Sequence, residues 1–247
     1  MRPGDRTMSS LVQRIARQAL VTFRSPEPGK SFVENHGKLK SLMTEVRAAD
    51  LKLVPRRADD SPAGGAPPPH RHRGAPPVTY MHICETDHFS MGVFLLKSGA
   101  SIPLHDHPGM HGVLKVLYGT VRISCFDRPD PPPAAPPSAH PGALRRSVLR
   151  STGEYTEDSG PCVLSPDRDN LHQIDAVDGP TAFMDILAPP YDPDDGRDCH
   201  YYRVLTEAEA EPDRTERTDQ EVWLMEISQP AEFWCGGEPY PGPEVCL

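Results

Sequence analysis

The sequence has no Cys-x-x-Cys pair. Its six cysteines, Cys84, Cys125, Cys162, Cys199, Cys235 and Cys246, are scattered along 247 residues, which argues against a zinc ribbon or a thioredoxin-type redox motif. No apolar run approaches the roughly 20 residues needed to cross a bilayer, and the N-terminus lacks the apolar stretch of a secretory signal. Free thiols in a reducing compartment, the cytoplasm, are therefore expected. Blocks of like charge are also missing and the net charge is −9, so neither a nucleic acid nor a membrane is an expected partner. With no coiled-coil heptad and no exposed apolar strand, a monomer is expected. Tryptophan occurs twice, as Trp223 and Trp234, and both are read as packing residues.

Proline is abundant instead, at 30 residues, and gathers in two tracts. Asp59 to Pro77 is rich in Pro, Gly and Arg and reads as an irregular connection. His70 and His72 within it have no apolar alternation around them and read as loop residues. The second tract, 128–142, has strand candidates on both flanks and reads as an extended hairpin insertion; a polyproline docking motif is the lesser reading. Two helices precede these tracts. Leu11, Ile15, Ala19 and Phe23 recur at helical spacing in Ser9–Phe23, and Phe32, Leu39, Leu42, Met43 and Val46 give Ser31–Leu51 a broad apolar face. Residues 1–26 hold five arginines against one acid, Asp5. That composition also suits a mitochondrial presequence; a helix packed outside a barrel is the preferred reading.

From Val78 the texture changes to short apolar runs broken by turns. Val78–Glu85, Phe89–Lys97, Ser101–His107, Gly112–Phe126 and Leu144–Arg150 are strand candidates, followed by Pro161–Ser165, Leu171–Val177, Thr181–Leu187, His200–Leu205 and Glu221–Ile227. Many short strands at close spacing imply a sandwich or barrel. The expected organisation is helices and a connection over 1–77 and a mainly β barrel over 78–247.

The stretch Gly99-Ala-Ser-Ile-Pro-Leu-His105-Asp-His107-Pro-Gly-Met-His111-Gly organises the rest. Side chains alternate along a strand, so His105 and His107 share a face. His172, on another strand candidate, is the third member. Three neutral histidines converging inside a barrel make an open metal site; a hydrogen-bonded histidine pair at a barrel mouth is the plainer alternative. His111 is open between a fourth ligand and a group that orients His107, the second being expected.

The same stretch resembles the first cupin motif: Gly, five residues, His-x-His, three or four residues, Glu, six residues, Gly. Gly99, His105, His107 and Gly119 fit it, while Gly112 occupies the glutamate position. Gly160, Pro166 and His172 follow the order of the second motif with one extra residue. Two histidines and a carboxylate are the common set for non-haem iron oxygenases; with the carboxylate gone, the resemblance turns to three-histidine thiol dioxygenases. Phe183-Met-Asp185-Ile-Leu-Ala-Pro-Pro-Tyr191-Asp and Gly196-Arg-Asp-Cys199-His-Tyr201-Tyr are similar to segments of the cysteamine dioxygenase and plant cysteine oxidase family, the second being closer to its animal members.

That resemblance implies a cupin (a double-stranded β-helix, or jelly-roll barrel) with N-terminal helices packed outside. It implies mononuclear Fe(2+) held by His105, His107 and His172. Asp185 and Tyr191 would lie near the substrate, and Cys199 and Tyr201 would match a pair that can form a thioether cross-link, sterically reasonable because i and i+2 share a strand face. Asp185 stays open between that role and an ion pair with an arginine. The implied activity is addition of both atoms of O2 to the sulfur of cysteamine and of protein N-terminal cysteines, giving sulfinic acids. Such a reaction could report oxygen level, since oxidised N-termini are marked for degradation. Two rival classes are a metal-dependent isomerase or hydrolase and a non-catalytic cupin binding module, neither of which accounts for the Pro-Pro-Tyr and Cys-x-Tyr segments.

Overall fold

The structure, a computed structural model, describes residues 9–24, 29–57, 74–128, 144–206 and 221–247. Most of the first proline-rich tract, with His70 and His72, and the second tract beyond Arg128 lie outside the described residues.

Two helices come first, α1 (Leu11–Phe23) and α2 (Lys30–Glu45). Ser10 caps α1, its hydroxyl accepting from the Gln13 amide at 3.1 Å, which satisfies one of the orphan donors of the first turn. The second helix is shorter than the expected Ser31–Leu51. At Val46 the backbone becomes extended, and Ala48–Leu51 forms a separate 3-10 turn in which the Asp50 carboxylate accepts from the Arg47 amide at 2.9 Å.

Ten strands follow: β1 (Val78–Glu85), β2 (Ser90–Leu96), β3 (Ser101–His105), β4 (His111–Asp127), β5 (Leu144–Tyr155), β6 (Cys162–Leu164), β7 (Leu171–Ala188), β8 (Tyr201–Val204), β9 (Glu221–Ile227) and β10 (Cys235–Gly237). The two candidates within 171–187 are one strand, bent where Asp178 and Gly179 take positive φ. The short β10, pairing parallel with β1, carries no β-favouring side chain and was not legible from propensity.

The long antiparallel strands β4 and β7 are the spine. The second half of β7 lies between β2 and the first half of β4. Its first half lies between β3 and the second half of β4. The pairing then runs from β3 through β8, β9 and β5 back to β4, so a mainly β, cupin-like barrel results. The helices pack outside it. Gly119, near the bend of β4, has φ +74, and a Cβ there would sit 2.6 Å from the Pro180 carbonyl oxygen. Only glycine fits that turn without strain.

Strand alternation divides the apolar residues between two cores. Met91, Val93, Met184 and Ile186 face α1 and α2, where Ile15, Ala19, Phe23, Leu39 and Met43 bury completely or nearly so. Each large side chain buried there stabilises the fold by about 1.5–3 kcal/mol. On the opposite face Leu96, Ile123, Ile174 and Phe183 fill the barrel interior, and the unfilled end of that interior holds the site.

Candidate metal centre

β3 ends on His105, which lies opposite His172 of β7 on one side and Tyr201 of β8 on the other. Directly opposed residues on paired strands bring their Cβ atoms to about 4.5–5.5 Å, which is how residues far apart in sequence meet. A register shift between Ile102 and His105 has a second effect. Ile102, His105 and His107 all line the interior, whereas Leu104 joins a minor core with Tyr202 on the other face of the sheet.

The three histidines form a cluster whose ligating nitrogens all lie within 4.8 Å of one another, with ring centroids 4.7–4.8 Å apart. The His105 Nδ1 lies 2.8 Å from the Pro103 carbonyl and the His107 Nδ1 2.8 Å from the Asn170 carbonyl. A carbonyl only accepts, so each Nδ1 carries the proton and each Nε2 is left as a lone-pair donor. Burial lowers the pKa of all three rings: His107, further depressed by the neighbouring His105, falls to about 3, and His172 lies well below the usual value. Three neutral imidazoles presented together fit a divalent metal, which binds only deprotonated ligands. At Gly112, the glutamate position of the cupin motif, a Cβ would lie 2.8 Å from Leu164 Cγ, so a side chain there would force Leu164 to shift.

The cluster lies in a cavity of about 460 Å³. Asp185, Tyr191, Cys199 and Tyr201 all line it. The Tyr191 ring is 5.8 Å from that of His107, and its hydroxyl donates to the Asp106 carbonyl at 2.8 Å. The Cys199 thiol hydrogen-bonds with both the Tyr191 and Tyr201 side chains, and burial pushes it up to about 11. Asp185 is raised to about 7, again by burial. Among the described residues no arginine or lysine lines the cavity, and Asp185 is the one carboxylate in its lining. Trp234, expected only to pack, is part of the lining.

His111 belongs elsewhere. Its ring sits 5.1 Å from Phe32 and 6.1 Å from Phe23, beneath the helices. It neither joins the metal cluster nor orients His107, because the chain turns through Pro108–Gly109 before β4 begins and the His111 ring packs toward the helix side. The group that does hold His107 is Asn170, absent from the sequence-based candidates. Its Oδ1 accepts from the His107 amide at 3.1 Å, its Nδ2 donates to the His107 and Ser165 carbonyls at 2.7 and 3.0 Å, and its own carbonyl meets the ring. The signal was its place two residues before His172. Asn170→Ala is expected to weaken metal binding about 10–100-fold, read by metal titration of the apoprotein; unchanged affinity would show that the Asn170 side chain does not hold the ligand.

A family model described as PCO_ADO matches residues 42–245. The chain is 59% identical over 264 residues to the 2-aminoethanethiol dioxygenase of Mus musculus, covering 98% of this chain and 99% of that protein. It is 29% identical over 244 residues to plant cysteine oxidase 1 of Arabidopsis thaliana, covering 95% of this chain and 80% of that protein. Among solved structures, a cupin superfamily protein of Desulfitobacterium hafniense is 12% identical with a TM-score of 0.32, covering 46% of this chain and 78% of that chain.

Proposed function

Because the chain belongs to the PCO_ADO family and presents in a cavity a cluster of three neutral histidines with no carboxylate in it, we propose that it is an Fe(II)-dependent thiol dioxygenase. Its substrates are cysteamine, converted to hypotaurine, and the N-terminal cysteine of proteins, converted to the sulfinic acid. Both atoms of O2 enter the product, RSH + O2 giving RSO2H, so no external reductant is needed. The reaction consumes oxygen, which suits a sensor that feeds protein degradation. All six cysteines are free thiols, consistent with a reducing, cytoplasmic setting. Among the described residues no helix is long and apolar enough to cross a membrane.

His105, His107 and His172 would hold the iron. Bound there, iron(II) supplies redox chemistry that no side chain can, together with open positions for a thiolate. The residues around it do the selecting. Cysteamine and an N-terminal cysteine share an amine two carbons from a thiol. Asp185 receives that ammonium, and among the described residues no arginine or lysine lines the cavity to pair with the carboxylate of free cysteine, whose burial unpaired would be costly. Tyr191 and Cys199 sit together by His107 and border the position of the sulfur. The Phe233 and Trp234 rings at the wall offer apolar surface to the rest of a peptide.

Cys199 and Tyr201 are adjacent enough to hydrogen-bond, which supports a thioether between them, formed as the thiol S–H and a ring C–H each give up a hydrogen to O2. Tyr201→Phe is expected to abolish the cross-linked species, which lacks two hydrogens and is read by mass spectrometry of the peptide containing residues 199–201, while leaving measurable turnover. Persistence of the two-hydrogen loss in that variant would place the cross-link elsewhere.

The activity is tested by oxygen uptake on iron-reconstituted protein, with cysteamine in one cell and a peptide bearing a free N-terminal cysteine in another. A product heavier by two oxygen atoms is expected in both. No uptake with iron confirmed in the site would overturn the proposal in favour of a metal-dependent isomerase or hydrolase, or a binding module.

A further inference from the structure

Alternation along the strands has a consequence outside the cavity. His105 and His107 point inward, so Asp106 between them points to the opposite face. Cys199 and Tyr201 also line the cavity, so His200 and Tyr202 point out, toward the same face as Asp106. There the three meet. The Asp106 carboxylate accepts from the His200 amide at 2.9 Å, faces the His200 ring Nδ1 at 3.1 and 3.2 Å, and accepts from the Tyr202 hydroxyl at 3.1 Å. Its backbone closes the arrangement: the Asp106 amide donates to the His200 carbonyl at 3.2 Å, and its carbonyl accepts from Tyr191 at 2.8 Å. Asp106 is 6% exposed and Tyr202 8%. The Arg145 guanidinium lies 5.8 Å over the Tyr202 ring on the outer side.

We propose that Asp106 is a positioning residue, the clasp that holds the Cys199–His200–Tyr201 segment and Tyr191 in register with the iron-binding strand. It touches neither substrate nor metal. Its carboxylate bonds to the two residues on either side of Tyr201 and its backbone carbonyl to Tyr191, and it sits in the same three-residue stretch as two of the candidate ligands. Charge-assisted hydrogen bonds of this kind are shorter and roughly twice as strong as neutral ones, and in a buried site they keep the bonded groups from drifting. A displacement of about 1 Å in a catalytic group costs about 100-fold in rate. His200 accordingly works through its outward ring and its backbone and not as a ligand or acid, although it lies between the two cross-link candidates.

The inference rests on the thiol dioxygenase reading for its kinetic readout, but its structural readout is independent. Hydrogen exchange at the amides of 199–202 should be at least tenfold faster in Asp106→Ala than in the wild type, whether or not the protein oxidises thiols. In the iron-loaded enzyme the same variant should keep its iron stoichiometry, lose at least tenfold in kcat for cysteamine with a smaller change in KM, and show less Cys199–Tyr201 cross-link. Asp106→Asn keeps an acceptor for the His200 amide and should recover to within threefold of wild type. A folded Asp106→Ala with wild-type exchange, kcat and cross-linking overturns the proposal. Should that variant fail to fold, His200→Ala combined with Tyr202→Phe strips the side-chain partners while leaving the ligand strand intact. It is read by the same measurements, and wild-type values there overturn the proposal equally. A wild type that binds iron but oxidises no thiol would instead overturn the assigned activity, leaving the exchange result to decide the clasp.

Discussion

His172→Ala should lose iron retention and thiol oxidation to below detection while the barrel stays folded. His172 is one of three candidate ligands whose nitrogens lie within 4.8 Å, and it comes from β7, whereas the other two come from the end of β3 and the turn after it. Its loss leaves two ligands on a single stretch, and no carboxylate at Gly112 can replace it. The backbone pairing His105↔His172 does not depend on the imidazole, so the fold survives. Metal analysis after dialysis, with circular dichroism as the fold control, decides the matter; iron at full stoichiometry would sink the ligand assignment. A pH measurement on metal-free protein adds a second check. His172 is held neutral by burial, with a pKa well below the usual 6.5. As pH falls below 6.5 the unfolded chain takes up a proton that the folded chain refuses, so stability declines with acid. The variant should show a shallower decline, measured by urea denaturation at several pH values.

Asp185→Asn is expected to lower kcat/KM for cysteamine about 100-fold, within the range typical of a positioned acid–base or charge-pairing group. The carboxylate lines the cavity with the histidines, and in the proposed role it would pair with the substrate ammonium only when ionised. Burial raises its pKa to about 7 in the metal-free protein. The wild-type kcat/KM should therefore rise with pH through a limb that the variant lacks, and a dication at the histidines should shift that limb to lower pH by favouring the carboxylate. The stability effect has the opposite sign to that of His172. Between pH 3.8 and about 7 the folded chain holds a proton that the unfolded chain has released, so this group makes stability fall as pH rises across that window. Asp185→Asn removes that fall. Identical pH–rate profiles for the two proteins would take the ammonium role away from Asp185.

How far the site could be read beforehand depends on which residues are considered. The His-x-His on a strand is a period-two signal, and the apolar runs on either side of it mark strands because β2 and β7 are buried on both faces. The helical spacing of Leu11, Ile15, Ala19 and Phe23 predicts the face that α1 buries. Other residues misled. His111 looked like a part of the metal site because it is four residues from His107, yet its ring went to Phe23 and Phe32. Asp106 and His200 carried no local signal, and Asn170 only its place two residues before His172, since their roles are hydrogen bonds to segments tens of residues away in the chain.

The amino-acid sequence by itself determined the element types and the donor chemistry: two amphipathic helices, a succession of short strands, three histidines, and no glutamate beside them. Those follow from periodicity and composition, which act over a few residues. Register was decided only by the tertiary structure. The shift between Ile102 and His105 sends Leu104 and Ile102 to opposite faces despite their i, i+2 spacing, and the pairing of β3 with both β7 and β8 brings His172 and Tyr201 to His105. It also sets Asp106, His200 and Tyr202 back to back behind the cavity. Such contacts depend on which strands lie side by side and on where a bulge interrupts them, which no short window of sequence contains.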